Sequence, residues 1–215
     1  MIFDFSDYRR VFPKDFKYMS KDSLYKDPYN QAVKWFQEVL DLKIVDGNAM
    51  TLATSNKKGE VTSRIILLKY LDERGFTFFT NYKSRKGLDL QENPKASLTF
   101  YWPSLNRQLR IIGHAEKIPI EESANYFHSR PKGNRLLALA SKQDEEIKSL
   151  EVIENKIKEL EVLFKDKEIP LPEHWGGYRV IPSEFEFWQG GPSRINLRFH
   201  YAKKGSEWSL RQLSP

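Results

Sequence analysis

The chain has 215 residues, of which 40% are hydrophobic and 30% are charged, and its formal net charge is +6. This composition excludes a disordered or fibrous chain, and the length is sufficient to bury a core without disulfide or metal cross-links. The absence of cysteine excludes disulfides and thiolate catalysis, and the dispersal of positive charges among acidic residues favours small anionic ligands over nucleic acid.

The first half of the chain predicts one helix followed by strands. Asp27 followed by Pro28 is typical of a helix start, because an acidic cap precedes a proline that suits the first turn. The predicted apolar face of this helix consists of Ala32, Trp35, Phe36, Val39 and Leu40. Strand-like segments follow at 49–55, 60–70, 76–81, 95–102 and 107–118.

The connections between these strand segments are short. Turn sequences at 56–59 and 72–75 join the first three segments, which indicates an antiparallel meander. A short helix that ends at Asn93-Pro94 leads into the fourth segment. Parallel neighbours would require crossovers of about a dozen residues or more, so the five strands favour a barrel.

Helices interrupt the strands in the middle of the chain. Residues 119–129 and 135–141 predict short helices, and 143–166 predicts a long one with an apolar residue every three or four positions. Such a stripe suits either a coiled-coil seam or a helix lying on the barrel, and we favour the second. Strands return at 178–189, 194–201 and 207–213.

The sequence predicts a single soluble domain over residues 1–215, in which residues 1–26 form a flexible N-terminal segment. This segment lacks the apolar core of a signal peptide, and the longest aliphatic run, 65–68, is far shorter than the ~20 residues that cross a bilayer. The four histidines include no pair at the spacing of a metal site. We therefore expect a cytoplasmic protein without a metal and without nucleic-acid or membrane partners.

The segment from Ser84 to Gly87 is a candidate phosphate site. Ser84 is a good helix cap, but Arg85 and Lys86 place two cations in a first turn whose dipole favours negative charge. A bound anion would resolve this conflict, because free backbone N–H groups and basic side chains together bind phosphate. The alternative is that both side chains point into water, and the segment alone leaves the two interpretations open.

A second candidate lies in the predicted strand 194–201. Alternation along a strand would place Arg194, Asn196, Arg198 and His200 on one face, which is either a solvated outer face or a ligand-binding one. The preceding Trp188 supplies a large aromatic ring and favours a flat anionic ligand.

A third candidate is the set Tyr126, Arg130 and Asn134, spaced by four residues at the end of a predicted helix. A turn could bring these donors together, although an exposed basic loop is the simpler interpretation. Arg64 and Lys69 are an odd number of positions apart, so a regular strand would place their side chains on opposite faces. Both can bind ligands only if the strand is interrupted or if two ligands bind on two faces.

In chain order, the segments RIILLK, FFTNYKSRKG, YFHSRP, WGGYRV, EFWQGG, the R-x-x-x-R strand and the terminal LSP resemble the pyridoxine/pyridoxamine 5′-phosphate oxidase family. The resemblance extends from about residue 27 to the end of the chain. It implies a mainly β split β-barrel with flanking helices, in a homodimer that binds FMN at the subunit interface. The implied reaction oxidises pyridoxine or pyridoxamine 5′-phosphate to pyridoxal 5′-phosphate and reduces O2 to H2O2.

The resemblance also assigns residues to the two ligands. The implied FMN contacts are Arg64, Ile65, Ile66, Leu67, Leu68, Lys69, Phe79, Thr80, Arg85, Lys86, Gln108, Gln143, Asp144, Trp188 and Arg198. The implied substrate contacts are Arg9, Lys69, Tyr126, Arg130, Asn134, Arg194 and Asn196. Arg194 and Asn196 occupy the positions implied to be catalytic.

The chain departs from the family pattern at four of the positions that matter most. The family has serine at Asn134, serine at Asp144, histidine at Asn196 and aspartate at Leu197. An amide at Asn196 can donate and accept hydrogen bonds but cannot take up a proton near neutral pH. Asp144 would either repel the FMN phosphate or pair with Arg85 or Arg198.

These departures leave alternatives open. One is a related flavin barrel oxidase with another substrate, of the phenazine-pathway type. Another is a non-catalytic protein that binds flavin or pyridoxal phosphate. A basic nucleic-acid binder is a third possibility, and it would require strong salt dependence and no bound chromophore.

Overall fold

A computed structural model of the chain describes residues 11–12 and 16–215. These residues form two compact units. The terminal unit comprises the described residues up to Gly47 together with residues 99–111 and 183–215, and the central unit comprises residues 48–98 and 112–182. The expectation of a single domain over residues 1–215 stays a prediction.

Five α-helices and nine strands occur in the described residues. The helices are α1 Pro28–Asp41, α2 Arg85–Glu92, α3 Ile120–Ser129, α4 Lys132–Ala140 and α5 Leu150–Leu163. The strands are β1 Ala49–Ser55, β2 Val61–Leu67, β3 Tyr70–Asp72, β4 Gly75–Asn81, β5 Lys95–Trp102, β6 Arg107–Lys117, β7 Trp175–Gln189, β8 Leu197–Lys204 and β9 Glu207–Leu213. Over the same residues, no helix combines the length and apolar character needed to cross a membrane.

The nine strands belong to one sheet, whose main path has the strand order β2-β1-β5-β6-β7-β4-β3. β1 pairs antiparallel with β2, and β4 pairs antiparallel with both β3 and β7. The residues of β7 that belong to the terminal unit pair antiparallel with β8, which in turn pairs antiparallel with β9. The two antiparallel pairs expected at the predicted turns are present, as β1 with β2 and β3 with β4. The continuous meander is wrong, because β4 lies between β3 and β7 and not beside β2.

The predicted strand 60–70 is divided into β2 and β3. The backbone N–H of Leu68 donates to the carbonyl of Asn48, whereas the next N–H, that of Lys69, donates to the carbonyl of Thr77. The chain thus changes hydrogen-bonding partner between two consecutive residues. Because of this interruption, strand alternation no longer requires the side chains of Arg64 and Lys69 to point to opposite faces.

The first helix begins as predicted, since the Asp27 carboxylate accepts a hydrogen bond from the Tyr29 N–H and Pro28 is the first helical residue. Trp35 and Val39 are buried on its apolar face. Leu40 was expected on the same face, but it is 69% exposed, so the buried stripe is narrower than the sequence predicted.

The long helix is shorter than the predicted span 143–166. α5 begins at Leu150, because Ser149 is extended and Asp144 has a left-handed φ angle of 71° that interrupts any continuous helix. Leu160 of α5 packs in an apolar cluster with Phe127 and Leu136, as expected for a helix lying on the rest of its unit.

Candidate cofactor and substrate site

A cavity of about 850 Å³ opens within the central unit. Its volume lies in the range of ~300–1,000 Å³ that is usual for cofactor and small-molecule sites. Among the described residues, its lining combines one carboxylate with five cationic side chains. The carboxylate is Asp144, and the cations are Arg64, Lys69, Arg85, Lys86 and Arg130. The cavity therefore suits an anionic ligand.

The first turn of α2 forms one wall of this cavity. Ser84 caps the helix, and its hydroxyl accepts hydrogen bonds from the Gly87 N–H and from Lys86 Nζ, the latter at 2.9 Å. The Lys86 side chain is buried, and burial lowers its pKa, an effect that Asp144 opposes and Arg64 reinforces. A phosphate would favour the protonated form of this lysine.

Gly87 is required where α2 begins. A Cβ atom at this position would lie 2.3 Å from the backbone carbonyl oxygen of Tyr82, a contact that a real side chain cannot make. The absence of a side chain lets the helix start directly against the preceding turn. This close approach fixes the direction in which the first N–H groups of α2 point.

A buried carboxylate organises two of the arginines. Asp89 accepts hydrogen bonds from the hydroxyls of Thr54 and Thr62 and from Arg85 Nε at 2.8 Å. The same two threonine hydroxyls accept hydrogen bonds from the guanidinium of Arg64. Burial alone raises the pKa of Asp89, but the hydrogen bonds outweigh burial and hold the pKa below its ordinary value.

Asp144 lies at the beginning of α2. Its carboxylate accepts a hydrogen bond of 2.7 Å from the backbone N–H of Arg85. Asp144 thus pairs with Arg85 through the backbone of Arg85 and not through its side chain. The other alternative, that Asp144 repels the FMN phosphate, stays a prediction.

Tyr126, Arg130 and Asn134 converge on the same cavity. α3 ends at Ser129, Arg130 is extended, and α4 begins at Lys132, so a turn brings the three side chains together. Burial lowers the pKa of Arg130, and its Nη1 atom is buried with no hydrogen-bond partner among the described residues. A donor in this state is available to a ligand.

Comparison with known proteins matches two parts of this chain to family models and the whole chain to curated relatives. Residues 36–164 match the family model described as pyridoxamine 5′-phosphate oxidase, and residues 175–215 match the C-terminal dimerisation region of pyridoxine 5′-phosphate oxidase. A pyridoxine/pyridoxamine 5′-phosphate oxidase from Cyanothece sp. is 45% identical over 100% of both chains. One from Nostoc sp. is 49% identical over 88% of this chain and 89% of the relative.

The chain belongs to the pyridoxamine 5′-phosphate oxidase family. A solved structure of PhzG from Burkholderia lata, in complex with tetrahydrophenazine-1-carboxylic acid, has a TM-score of 0.87 and 29% identity, and covers 94% of this chain and 98% of its own. These matches confirm the split β-barrel class with flanking helices. The match to a dimerisation region indicates a homodimer.

Most residues that the family resemblance assigned to ligands line the cavity. The assigned FMN contacts found there are Arg64, Ile65, Ile66, Leu67, Lys69, Phe79, Thr80, Arg85, Lys86, Gln143 and Asp144. The assigned substrate contacts found there are Lys69, Tyr126, Arg130 and Asn134. Leu68 is buried and does not line the cavity, and Arg9 lies outside the described residues.

The remaining assigned residues belong to the terminal unit. They are Gln108, Trp188, Arg194, Asn196 and Arg198. Glu186 accepts hydrogen bonds from the Arg198 guanidinium, one of them 2.9 Å long, and the side-chain oxygen of Asn196 accepts one from the Gly191 N–H at 3.1 Å.

The expected alternation along 194–201 is wrong at its start. Pro192–Arg194 form a 3₁₀ turn in which Ser193 and Arg194 have positive φ angles of 54° and 60°, and β8 begins only at Leu197. Arg194 and Asn196 therefore do not share a strand face with Arg198. Pro192 at the start of the turn explains the error, since proline readily begins a helical turn.

The sequence patterns missed several residues that line the cavity. They are Asn81, Leu137, Ala138, Ser141 and Trp175. Trp175 lies in the WGGYRV segment that contributed to the resemblance, but nothing in its local pattern indicated a role. Its position became apparent only from the pairing of β4 with β7, in which Trp175 lies opposite Asn81.

Proposed function

We propose that this family member uses FMN to oxidise pyridoxine or pyridoxamine 5′-phosphate to pyridoxal 5′-phosphate, with reduction of O2 to H2O2. The observation that supports this function is that cations at the start of α2 and cations around Arg130 line one and the same cavity and offer two phosphate sites there. The relatives that are 45% and 49% identical support the same activity.

The residues of the cavity fit FMN. Ser84, the N–H groups at the start of α2, the buried Lys86 and the two arginines held by Asp89 form a cationic site for its phosphate. Phe79 and Thr80 on β4 extend the wall beyond this site. When bound, FMN supplies the acceptor that takes a hydride from the substrate and passes electrons to oxygen.

The protein binds and orients the substrate. Lys69, Tyr126 and Arg130 hold the substrate phosphate, and the buried Nη1 of Arg130, which has no partner among the described residues, gains one there. Fixing the phosphate at one end of a rigid pyridine fixes the position of the reacting carbon at the other end. Asn134 contributes a neutral hydrogen-bonding side chain beside this site.

A second copy of the chain completes the site. In this arrangement FMN lies at the subunit interface, and Gln108, Trp188, Arg194, Asn196 and Arg198 reach it from the terminal unit of the other copy. Arg194 stabilises negative charge that develops on the substrate, because its guanidinium is a cation. A guanidinium is a poor base, so we do not assign Arg194 the removal of a proton. Asn196 orients the ring by hydrogen bonding without exchanging a proton.

A related oxidase that acts on a phenazine-type substrate is the second candidate. The structural similarity to PhzG and the asparagine at position 196 favour it. The relatives named as pyridoxine/pyridoxamine 5′-phosphate oxidases are more similar in sequence, so we rank this candidate second.

Anaerobic titration distinguishes the candidates. The purified protein is expected to be yellow and to lose its flavin absorbance when pyridoxine 5′-phosphate is added without oxygen. Protein that takes up no FMN would contradict both oxidase candidates. Yellow protein that is bleached by tetrahydrophenazine-1-carboxylic acid and not by pyridoxine 5′-phosphate would support the second candidate. Yellow protein that neither substrate bleaches would indicate a binding protein.

A further inference from the structure

We propose that Trp175 positions Arg130 for the substrate phosphate and thereby sets the preference of the site for phosphorylated over unphosphorylated pyridines. This inference rests on the proposed function. It gives a role to a residue that the sequence patterns and the family resemblance left without one.

The indole of Trp175 lies directly beneath the Arg130 guanidinium. Arg130 Cζ is 4.6 Å from the centroid of the Trp175 ring, which is well within the range of a cation–π contact. Trp175 is only 8% exposed, and it packs in the apolar cluster that contains Phe127 and Leu136. The ring is therefore a fixed surface and not a mobile side chain.

This contact stabilises the charge of Arg130 without using its N–H donors. The attraction acts through the face of the ring, so the donors around the guanidinium edge remain available, and Nη1 is buried without a partner in the described residues. A carboxylate beside Arg130 would also stabilise the charge, but it would occupy the donors that a phosphate needs. An aromatic support is thus the arrangement that leaves this half-buried arginine ready for an anionic ligand.

Two further rings hold the indole in place. Trp175 stacks on Phe79 with ring centroids 5.5 Å apart and planes 12° apart, and Phe79 stacks on Tyr126 at 3.9 Å and 21°. Tyr126 also lines the cavity beside Arg130. The stack fixes the surface on which Arg130 rests, which reduces the ordering that ligand binding would otherwise require.

The test measures the binding of two product-type ligands to the FMN-loaded protein by equilibrium dialysis. For Trp175→Leu, we expect the affinity for pyridoxal 5′-phosphate to fall about tenfold and the affinity for pyridoxal to be unchanged. Steady-state kinetics should show a raised KM for pyridoxine 5′-phosphate with kcat preserved. Trp175→Phe keeps a ring face and is expected to retain part of the preference.

A double-mutant cycle with Arg130→Ala separates positioning from a general structural effect. If Trp175 acts through Arg130, Trp175→Leu will have no further effect on pyridoxal 5′-phosphate binding once Arg130 is removed. Leu136→Ala is the matched control, because it loosens the same apolar cluster without altering the cavity lining. We expect it to lower thermal stability and to leave the ratio of the two affinities unchanged.

Several results would overturn the inference. An equal loss of affinity for pyridoxal and its phosphate in Trp175→Leu would do so, and so would additivity of the two substitutions. If Arg130→Ala itself leaves the binding of pyridoxal 5′-phosphate unchanged, the phosphate site of the proposed function fails as well. If Arg130→Ala weakens binding and neither Trp175→Leu nor Trp175→Phe does, only the role of Trp175 fails.

Discussion

Asp89 and Asp144 illustrate two different uses of a carboxylate beside the same cations. Asp89 is buried and has its hydrogen bonds satisfied by Thr54, Thr62 and Arg85, so it fixes the cationic wall. Asp144 is exposed, and in the structure its carboxylate accepts a bond from the Arg85 N–H. A ligand phosphate at the start of α2 would have to displace it.

Replacement of Asp144 by asparagine is therefore expected to tighten FMN binding. A carboxylate at a helix N-terminus is stabilised by about 0.3–1 kcal/mol, and a phosphate that replaces it must first overcome this interaction. The dissociation constant of FMN, measured by quenching of its fluorescence, should fall roughly twofold to fivefold.

The matched control for this prediction is Glu146→Gln. It removes one negative charge from the same segment, at an exposed position that does not line the cavity. It should leave the affinity unchanged. An Asp144→Asn protein that binds FMN more weakly than the wild type would show that the carboxylate assists the cofactor.

The buried position of Lys86 predicts that FMN binding weakens at alkaline pH. Burial lowers the pKa of this lysine from its ordinary value of 10.5, and the phosphate of FMN binds the protonated form. The affinity for FMN should consequently be constant near neutral pH and fall as the pH rises through the lowered pKa, below 10.5.

Lys86→Arg is the comparison protein, because its guanidinium keeps its charge over this pH range. Any titration of FMN itself affects the binding curves of both proteins. The difference between the two binding curves isolates the lysine. Identical curves for the two proteins would show that Lys86 does not contact the phosphate.

At the scale of elements, α2 depends on the contact between its first turn and the residues before it. The helix begins at Arg85, and position 87 faces the carbonyl groups of residues 81 and 82. The signals for this helix are local, namely the capping serine Ser84 and the Asn93-Pro94 pair at its end, and the sequence therefore predicted the helix. The two cations in its first turn made a phosphate site one of two interpretations that the segment left open.

Gly87→Ala is expected to disrupt this start. The added Cβ would lie 2.3 Å from the carbonyl oxygen of Tyr82 and 2.8 Å from that of Asn81, and backbone atoms cannot move aside as a flexible side chain does. We expect a loss of about 1–3 kcal/mol in the free energy of unfolding, together with weaker FMN binding. Urea denaturation measures the first effect, and fluorescence quenching of FMN measures the second.

Gly133→Ala is the matched substitution. Gly133 lies in α4, and a Cβ atom there would meet nothing within 4 Å. Alanine should stabilise this helix by roughly 0.5–1 kcal/mol, since glycine is the poorer helix former. A lowered free energy of unfolding in Gly87→Ala and a raised one in Gly133→Ala would confirm the contact at Gly87. Similar small changes in the two variants would contradict it.

At the scale of the whole molecule, the sequence predicted what depends on local pattern and missed what depends on distant pairing. Local pattern made Arg85, Lys86 and Arg130 candidates, and the family resemblance assigned them to the two ligands. The role of Trp175 requires β4, α3 and β7 to meet, and no periodicity shows that. The helix predicted over 143–149 is also absent. Apolar spacing predicted it, but apolar spacing does not show the left-handed backbone at Asp144 that interrupts a helix there.

The proposed interface makes a prediction that only a mixed dimer can test. Arg85 lines the cavity of the central unit, whereas Arg198 belongs to the terminal unit. If each site combines the cavity of one copy with the terminal unit of the other, Arg85→Ala and Arg198→Ala proteins will each bind FMN weakly. A mixed dimer, however, will contain one intact site and one site with both defects.

Unfolding and refolding the two variants together at equal concentration should therefore restore wild-type FMN affinity to about a quarter of all sites, because half of the dimers are mixed and half of their sites are intact. Each variant refolded alone is the control and should show no recovery. If both arginines bind FMN from the same copy, every site in the mixture retains one defect, and no high-affinity fraction will form. Fluorescence quenching at limiting FMN distinguishes the two outcomes, since it measures the number of tight sites separately from their affinity.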